Sequence, residues 1–248
     1  MKPSSLCLFC VFAVLLWNLP AAPRPESKSD PASVVRSVMD SEALLREIPL
    51  REVILAATEK KVLRLEPDRT AADAAFLTHL REAADDVLTF LNSSDSPAKG
   101  LRRINEASRH VEDRLVKQLH RGDFTCAFPT TAAGGTQRSG YPDLRIVHKP
   151  SGRVYYLDPK LHEDTAANST LRTFYYEPRE LTGKIHDDAC HLVLGIAHDG
   201  KDGAWRFTGW KLVDLFEFRV RLKAEFQASN KELYRRELIA GESTPKQD

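Results

Sequence analysis

The features of this sequence that could do chemistry are acidic residues followed two positions later by a lysine. Such a triplet puts a carboxylate, which can bind a divalent metal ion, beside an ammonium that can position or activate water. The triplet is common in proteins, and the chain contains four of them: Glu26 to Lys28, Glu59 to Lys61, Asp158 to Lys160 and Asp199 to Lys201. Spacing alone therefore does not choose among them.

Asp158 and Lys160 are favoured because the residues around them predict a β-strand. Alternate side chains of a strand point to the same face, so this carboxylate and this ammonium would share one side. Pro159, between them, cannot donate to a sheet ladder, so the strand must have a free edge or a bulge at that point.

A predicted hairpin brings a second carboxylate to Asp158. The turn over residues 149–152 has Pro at its second position and Gly at its fourth, as a type I turn prefers. If His148 faces Arg153, counting outward places Asp143 opposite Asp158, with Cβ atoms about 5 Å apart. Like charges at that distance repel unless a cation lies between them, and carboxylate oxygens suit Mg²⁺ or Mn²⁺.

Pro142 precedes the first carboxylate, and the whole pattern resembles the PD-(D/E)xK superfamily of restriction-endonuclease-like nucleases. The resemblance covers roughly residues 99–197. It implies an α/β fold with a mixed central sheet flanked by helices, here with an N-terminal helical extension. It also implies that Asp143 and Asp158 bind the metal ion, and that Lys160 positions or helps to deprotonate the attacking water.

The family usually adds an acidic residue from the helix before the hairpin, and Glu112 is the candidate. At about 100° per residue, Glu112 falls on the apolar stripe of its helix, between Leu119 and Val116. A boundary glutamate can also extend its charge to water, so this position has two interpretations. By resemblance, Glu112 would support the metal as a third ligand.

The order of elements predicted from residue periodicity is helices first, then a sheet. Apolar spacing predicts two short helices within residues 31–61 and longer helices over 71–91 and 99–120. Beyond residue 122, short β-branched and aromatic runs predict strands over 144–148, 154–157, 171–176, 192–197, 205–212 and 216–226. Ser229 with Glu232 forms a capping-box pattern and predicts a last helix through about residue 239.

The N-terminus predicts export. A short apolar run over residues 6–17 follows Lys2 and is too short to span a bilayer as an ordinary helix, so residues 1–22 are interpreted as a signal peptide. The protein would then be secreted or periplasmic, without stable membrane association after cleavage; an uncleaved membrane anchor is the alternative. The predicted organisation continues with a tether (23–30), a helical region (31–98), a nuclease-like domain (99–240) and a polar tail (241–248).

The partner predicted from these residues is a nucleic acid, with DNA favoured over RNA. The formal net charge of the 248-residue chain is only +1, so a local basic patch would have to hold it. Basic residues that cluster around the motif could grip phosphates or form an ordinary solvated surface: Arg138, Arg145, Lys149, Arg153, Arg172, Arg179 and Lys184. The alternative function is a catalytically silent nucleic-acid or protein binding module with the same fold.

Other sites have weaker support in the sequence. The run from His186 to His191, with His198 beyond, could hold structural zinc, but it lacks paired Cys-x-x-Cys or His-x-x-x-His spacing. Outside the signal peptide, Cys126 and Cys190 could form a disulfide or remain as two buried thiols. A Gly-x-Ser-x-Gly hydrolase motif and a phosphate-binding loop are both absent from the sequence.

Overall fold

The computed structural model of the chain describes residues 30–41, 45–169, 173–223 and 227–241. The predicted signal peptide, the tether up to residue 29 and the tail from residue 242 lie outside these ranges, so export stays a prediction. Within the described ranges, no helix combines the length and the apolar content needed to cross a membrane.

Eight strands form in the described residues: β1 (Ile48–Pro49), β2 (Val62–Leu63), β3 (Phe124–Ala127), β4 (Leu144–His148), β5 (Arg153–Glu163), β6 (Ala189–His198), β7 (Phe207–Asp214) and β8 (Arg219–Val220). Six of them build one mixed sheet in the order β2-β6-β5-β4-β3, and β7 also pairs with β6. The parallel pairs are β5 with β6 and β2 with β6, whereas β3, β4 and β5 are antiparallel neighbours. β1 and β8 form a separate antiparallel ribbon.

Five α-helices form in the same residues: α1 (Pro31–Asp40), α2 (Leu50–Thr58), α3 (Ala71–Leu91), α4 (Ser108–Leu119) and α5 (Asn230–Leu233). Apolar residues of α3 and α4, such as Phe76 and Leu115, pack with Tyr155 and Leu157 of β5 in one buried cluster. Residues of α2 pack with Tyr156 in a second cluster. Because neighbouring residues of a strand point to opposite faces, helices cover both faces of the sheet, which confirms the predicted fold class.

The described residues divide into two compact units, one over 30–41 and the other over those from 45 to 241. The first unit contains α1 among its described residues. The second contains α2, β2 and α3 together with the whole of the sheet. The predicted organisation into a helical region and a nuclease-like domain stays a prediction. α3 contributes to the same buried cluster as β4 and β5, and it therefore helps to position β5, which carries Asp158, and β4, which Asp143 directly precedes.

A buried ionic contact ties α3 to the start of β5. Asp73 is fully buried and pairs with the guanidinium of Arg153, the first residue of β5. The same carboxylate accepts a hydrogen bond of 2.8 Å from the Tyr155 hydroxyl and another of 2.8 Å from the backbone N–H of Glu66. Each carboxylate oxygen therefore has partners, which is what allows the charge to be buried.

Several predicted elements form as expected. α3 occupies residues 71–91, and β4, β5, β6 and β7 overlap the strands predicted there. The turn before β5 also forms: Gly152 has a φ of +70°, a conformation that side chains other than glycine's rarely adopt, and its N–H bonds to His148 O at 2.8 Å. The predicted helix over 99–120 is shorter, because residues 104–107 form a 3-10 turn before α4 begins.

Two predicted strands are wrong in the described residues. Residues 173–176 have no strand pairing, and residues 171–172 lie outside the description. Within 216–223 only Arg219 and Val220 pair with another strand, after a 3-10 turn at Leu215–Glu217; residues 224–226 lie outside the description. Half-buried and exposed side chains do alternate from Phe216 to Val220. However, β1, the strand with which Arg219 and Val220 pair, is only two residues long.

The last helix is also shorter than predicted. The capping box is confirmed, since Ser229 accepts from the N–H of Glu232 and the Glu232 side chain bonds back. The helix then ends at Leu233, and a separate 3-10 turn follows at Arg236–Leu238.

Candidate active site

The β4–β5 hairpin has the register predicted from its turn. His148 pairs with Arg153, Val147 with Val154, and the ladder continues to Leu144 and Leu157. Asp158 is the next residue of β5, and Asp143 directly precedes β4. The Lys160 ammonium approaches both carboxylates, so the hairpin brings the two acidic residues together as expected.

Lys160 completes a compact group with these two acids. Its ammonium nitrogen lies 2.5 Å from Asp158 Oδ2 and 3.8 Å from Asp143 Oδ2. The Asp158 side chain is 2% exposed and that of Asp143 is 13% exposed, whereas Lys160 is 29% exposed. The lysine is therefore the member of the group that solvent reaches most easily.

Pro159 is accommodated because the partner strand ends before it. The pairing of β5 with β4 stops at Leu157, while the pairing with β6 continues through Pro159 to Glu163. The edge of β5 that faces β4 is thus free of ladder pairing at the proline, which confirms the free edge predicted there. The strand is central in the sheet but locally open beside the acidic pair.

The charges in this group change the pKa values of its members. Burial and the neighbouring charge of Asp158 raise the pKa of Asp143 to about 8. Burial alone would lower the pKa of Lys160, but the charges of Asp158 and Asp143 outweigh burial and raise it. Lys160 therefore stays protonated at neutral pH, and one proton or another cation is favoured between the two acids.

Asp143 and Asp158 are the two residues of this group that could hold a divalent metal ion. Asp158 Oδ2 is buried without an aligned hydrogen-bond donor, although the Lys160 ammonium approaches it as an ion-pair partner. An acidic oxygen in that state, beside a second carboxylate, suits a hard cation. The described residues contain no set of three or more His, Cys, Asp or Glu side chains arranged around one metal position. The fit therefore rests on Asp143 and Asp158.

Glu112 lies near this pair but is held by another side chain. Its carboxylate Oε2 accepts hydrogen bonds from Arg138 Nη2 at 2.7 Å and Nε at 3.0 Å. The Glu112 side chain is 12% exposed, so the predicted inward orientation on α4 is observed. Its charge contributes to raising the pKa of Asp143, behind the larger effects of burial and of Asp158. Its role as a metal ligand stays a prediction.

A known family matches most of the chain. The sequence model of the type II restriction enzyme MjaV family matches residues 44–237. This chain belongs to that family. One relative is the type II restriction enzyme MjaV of Methanocaldococcus jannaschii, which is 29% identical over 215 residues, or 80% of this chain and 93% of that protein. Membership confirms the resemblance to restriction-endonuclease-like nucleases, and the matched region begins well before residue 99, so it includes α2 and α3.

Two of the other three acidic triplets lie at ordinary surface positions. Glu59 ends α2, and Asp199 begins the turn between β6 and β7, where its carboxylate accepts from the N–H groups of Lys201 and Arg206. The triplet that begins at Glu26 lies outside the described residues. Among the triplets in the described part of the chain, only Asp158 to Lys160 lies on a strand of the sheet.

Lys184 is one of the basic residues that the sequence predicts either to grip phosphates or to lie on a solvated surface, but the structure buries it. The residue is 2% exposed, and the charges of Asp143, Asp158 and Glu112 all act on it. Burial nevertheless lowers its pKa. The segment that carries Lys184 has no helix or strand, so no periodicity in the sequence could have indicated an inward side chain.

Tyr141 and His191 form a second feature that sequence reasoning missed. The Tyr141 hydroxyl lies 2.8 Å from His191 Nδ1, and both residues are buried. Burial lowers the pKa of His191 to about 3, so its ring is neutral. Burial, together with the charge of Asp158, raises the pKa of Tyr141 well above its ordinary value. This neutral pair fixes the backbone two residues before Asp143.

Most of the remaining basic residues form ion pairs with acidic side chains. Arg145 makes a bidentate contact with Asp187, and Arg153 is bound to Asp73. Arg179 pairs with Glu177 on the surface, Lys149 is exposed, and Arg172 lies outside the described residues. Arg145 and Arg153 thus stabilise the fold, so a phosphate-binding patch cannot include all seven predicted residues.

The zinc alternative finds no geometric support in the described chain, where no metal-ligating set of three is present. His186 Nε2 contacts the carbonyl of Thr130, Asp187 binds Arg145, and His191 contacts Tyr141. Cys126 and Cys190 are free and buried rather than joined in a disulfide. Burial raises the pKa of each thiol to about 12, so neither is a reactive thiolate at neutral pH.

Removing the charge of Asp143 should change how the stability of the metal-free protein depends on pH. A pKa of about 8 in the folded state lies above the value of about 4 expected for an unfolded aspartate. The resulting stability is fully present below about pH 4 and is lost as pH rises through about 8. We expect the free energy of unfolding in EDTA to fall by up to about 1.4 kcal/mol per pH unit from this group between pH 5 and 8.

Asp143→Asn lacks this ionisation, so its unfolding free energy should depend less on pH over the same range. Urea denaturation of both proteins in EDTA at pH 5, 6.5 and 8 measures the difference. Parallel pH profiles for wild type and Asp143→Asn would show that the carboxyl group ionises normally.

Proposed function

We propose that this chain is a divalent-metal-dependent nuclease that hydrolyses phosphodiester bonds of DNA, with Mg²⁺ or Mn²⁺ as the ion. The observation that carries the proposal is the meeting of Asp143, Asp158 and Lys160 on one hairpin within the region matched by the restriction enzyme family. DNA is favoured as the substrate because the relative at 29% identity is named a type II restriction enzyme.

The acidic pair is suited to hold the ion. Two neighbouring carboxylates that share the Lys160 ammonium, one with a buried oxygen that lacks an aligned donor, offer hard oxygen ligands. The chemistry that a bound divalent ion supplies here is Lewis-acid stabilisation of the charge that develops at the phosphate.

Lys160 is suited to position the attacking water and to balance charge on the phosphate. Its pKa is raised by the two aspartates once the opposing effect of burial is overcome, so it remains an ammonium. Its partial exposure lets it face a substrate while it contacts Asp158. The positioning role is thus better supported than proton abstraction. Glu112 would assist from α4, and in this arrangement Arg138 sets its orientation.

Cleavage assays on three substrates test the proposal. We expect the purified protein to cut supercoiled plasmid with 1–10 mM MgCl₂ or MnCl₂, a concentration of roughly the order that weak Mg²⁺ sites need. Single-stranded DNA and RNA, tested in parallel, rank the substrates. EDTA should abolish cutting, because the acidic pair would lose its ion. Lys160→Met should do so as well, because it removes the ammonium and keeps the length of the side chain.

The control substitution replaces the lysine of another acidic triplet. Lys201→Met changes an exposed lysine in the β6–β7 turn and should cut DNA like wild type. Folding of each variant is checked by circular dichroism. Absence of cutting on all three substrates by well-folded wild-type protein would instead favour a binding module with the same fold.

A further inference from the structure

Tyr141 lies in the segment that leads into β4, at a point where the sheet does not support the chain. The ladder between β4 and β5 stops at Leu144 and Leu157, so Asp143 has no strand pairing within the described residues. The side chain of Tyr141 provides a different connection to the sheet. Its hydroxyl lies 2.8 Å from Nδ1 of His191, which belongs to β6.

The contact between Tyr141 and His191 spans the strand that carries Asp158. β5 lies between β4 and β6 in the sheet, so a side chain that starts before β4 and ends on β6 crosses over β5. His191 pairs with Tyr156, and Asp158 is the next residue on the same face of β5, about 7 Å further along. The hydrogen bond therefore joins the backbone beside Asp143 to the sheet beside Asp158.

Aromatic rings restrict the side chain of Tyr141. Phe174 and Tyr176 contact its ring edge-on, with centroids 5.1 Å and 6.0 Å away, and the His191 ring is stacked at 5.8 Å. Tyr141 and His191 are both buried. Because a closely packed side chain has little freedom to rotate, the connection from the backbone of Tyr141 to β6 has a fixed length.

Stability does not account for a histidine at position 191. Among the described residues, His191 Nε2 is buried and has no hydrogen-bond partner. A buried polar atom without a partner lowers stability, so an apolar side chain would pack here at less cost. What the imidazole adds, and an apolar side chain would not, is a partner for the Tyr141 hydroxyl.

We propose that Tyr141 and His191 are positioning residues that set the separation of Asp143 from Asp158 and thereby favour Mg²⁺ over larger divalent ions. This inference rests on the proposed function, because it assumes that the two aspartates hold the ion. Both residues act through the backbone and need not touch the ion or the DNA.

The preference for Mg²⁺ follows from the coordination that each ion requires. Mg²⁺ demands near-ideal octahedral geometry with oxygen ligands at roughly 2.0–2.1 Å, whereas Ca²⁺ accepts flexible arrangements with ligands at roughly 2.3–2.6 Å. A small displacement of Asp143 should therefore weaken the binding of Mg²⁺ more than that of Ca²⁺.

Three variants break the contact in different ways. Tyr141→Phe removes only the hydroxyl, His191→Leu removes the imidazole, and the double variant removes both partners together. The matched control is Tyr176→Phe, since Tyr176 belongs to the same aromatic cluster and its hydroxyl forms no hydrogen bond within the described part of the chain.

Melting temperatures are measured against MgCl₂ and, separately, against CaCl₂ at pH 7.5 and constant ionic strength. Binding to the folded state stabilises it by mass action, so the dependence on concentration reports the affinity. A substitution that only destabilises the fold lowers the melting temperature at every concentration but leaves the half-saturating concentration unchanged.

We expect half-saturating MgCl₂ to rise about 10-fold in Tyr141→Phe, a change of the size produced by groups that orient metal ligands. Half-saturating CaCl₂ should rise by about twofold or less, because Ca²⁺ tolerates a displaced ligand. The double variant should bind Mg²⁺ no more weakly than either single variant, since both substitutions break the same contact. Tyr176→Phe should bind both ions like wild type.

Two results would overturn this inference alone, provided that wild type is stabilised by MgCl₂ and cuts plasmid. One is the same Mg²⁺ affinity in Tyr141→Phe as in Tyr176→Phe, and the other is an equal loss of affinity for both ions. No stabilisation of wild type by either ion, together with no cleavage, would overturn the proposed function and this inference with it.

Discussion

Asp158→Asn should lower the rate of DNA cleavage by about 10³-fold, which corresponds to roughly 4 kcal/mol of transition-state stabilisation. The substitution keeps the shape of the side chain but removes the charge of the most buried acid of the site. It should also abolish the rise in melting temperature with MgCl₂, since Asp143 alone is a poor ligand set. Initial rates on supercoiled plasmid and melting curves with and without MgCl₂ measure the two effects.

Asp199→Asn is the matched control, because it makes the same chemical change in another acidic triplet. Asn can still accept from the N–H groups of Lys201 and Arg206, so the β6–β7 turn should be retained. This variant should cleave DNA within about twofold of wild type, as expected for a surface change outside the site. Comparable cleavage by Asp158→Asn and Asp199→Asn would remove Asp158 from the active site.

Asp73→Ala should lower the free energy of unfolding by about 3–5 kcal/mol, the range found when one partner of a buried ion pair is removed. The variant would leave the Arg153 guanidinium and the Tyr155 hydroxyl without their buried acceptor. Because both residues belong to β5, the substitution destabilises the strand that carries Asp158 and Lys160. Urea denaturation followed by circular dichroism measures the change.

Glu82→Ala on the same helix is the comparison, since Glu82 is exposed on α3. Its unfolding free energy should stay within about 0.5 kcal/mol of wild type. A cost below about 1 kcal/mol for Asp73→Ala would mean that the pair is replaced by water or by a rearranged Arg153, and that α3 does not anchor β5 through this contact.

The acidic pair and its lysine could be predicted because they depend on local rules. The turn over residues 149–152 sets the hairpin register, and the period of two in a strand then places Asp143 opposite Asp158 and on the same face as Lys160. The helical wheel likewise placed Glu112 inward. It could not predict that Arg138 binds Glu112, because that contact joins α4 to a loop 26 residues away.

The features that could not be predicted from the sequence depend on contacts between distant segments of the chain. Lys184 lies in the crossing from β5 to β6, where residues 177–188 form no helix or strand, and His191 lies on β6. The strand predicted over 216–226 failed for a related reason. Alternation requires only that every second side chain face the core, as Phe216, Phe218 and Val220 do, whereas a strand also needs a neighbour of matching length.

The short turn of the β4–β5 hairpin also bears on how the chain reaches its folded state. Only 15 residues separate Asp143 from Asp158, so bringing them together costs little chain entropy. The pairing of Val62 with Ala189 closes a loop of more than a hundred residues and must await most of the chain. The two acids therefore become neighbours early, and Lys160, two residues beyond Asp158 on the same hairpin, is already present to offset their mutual repulsion.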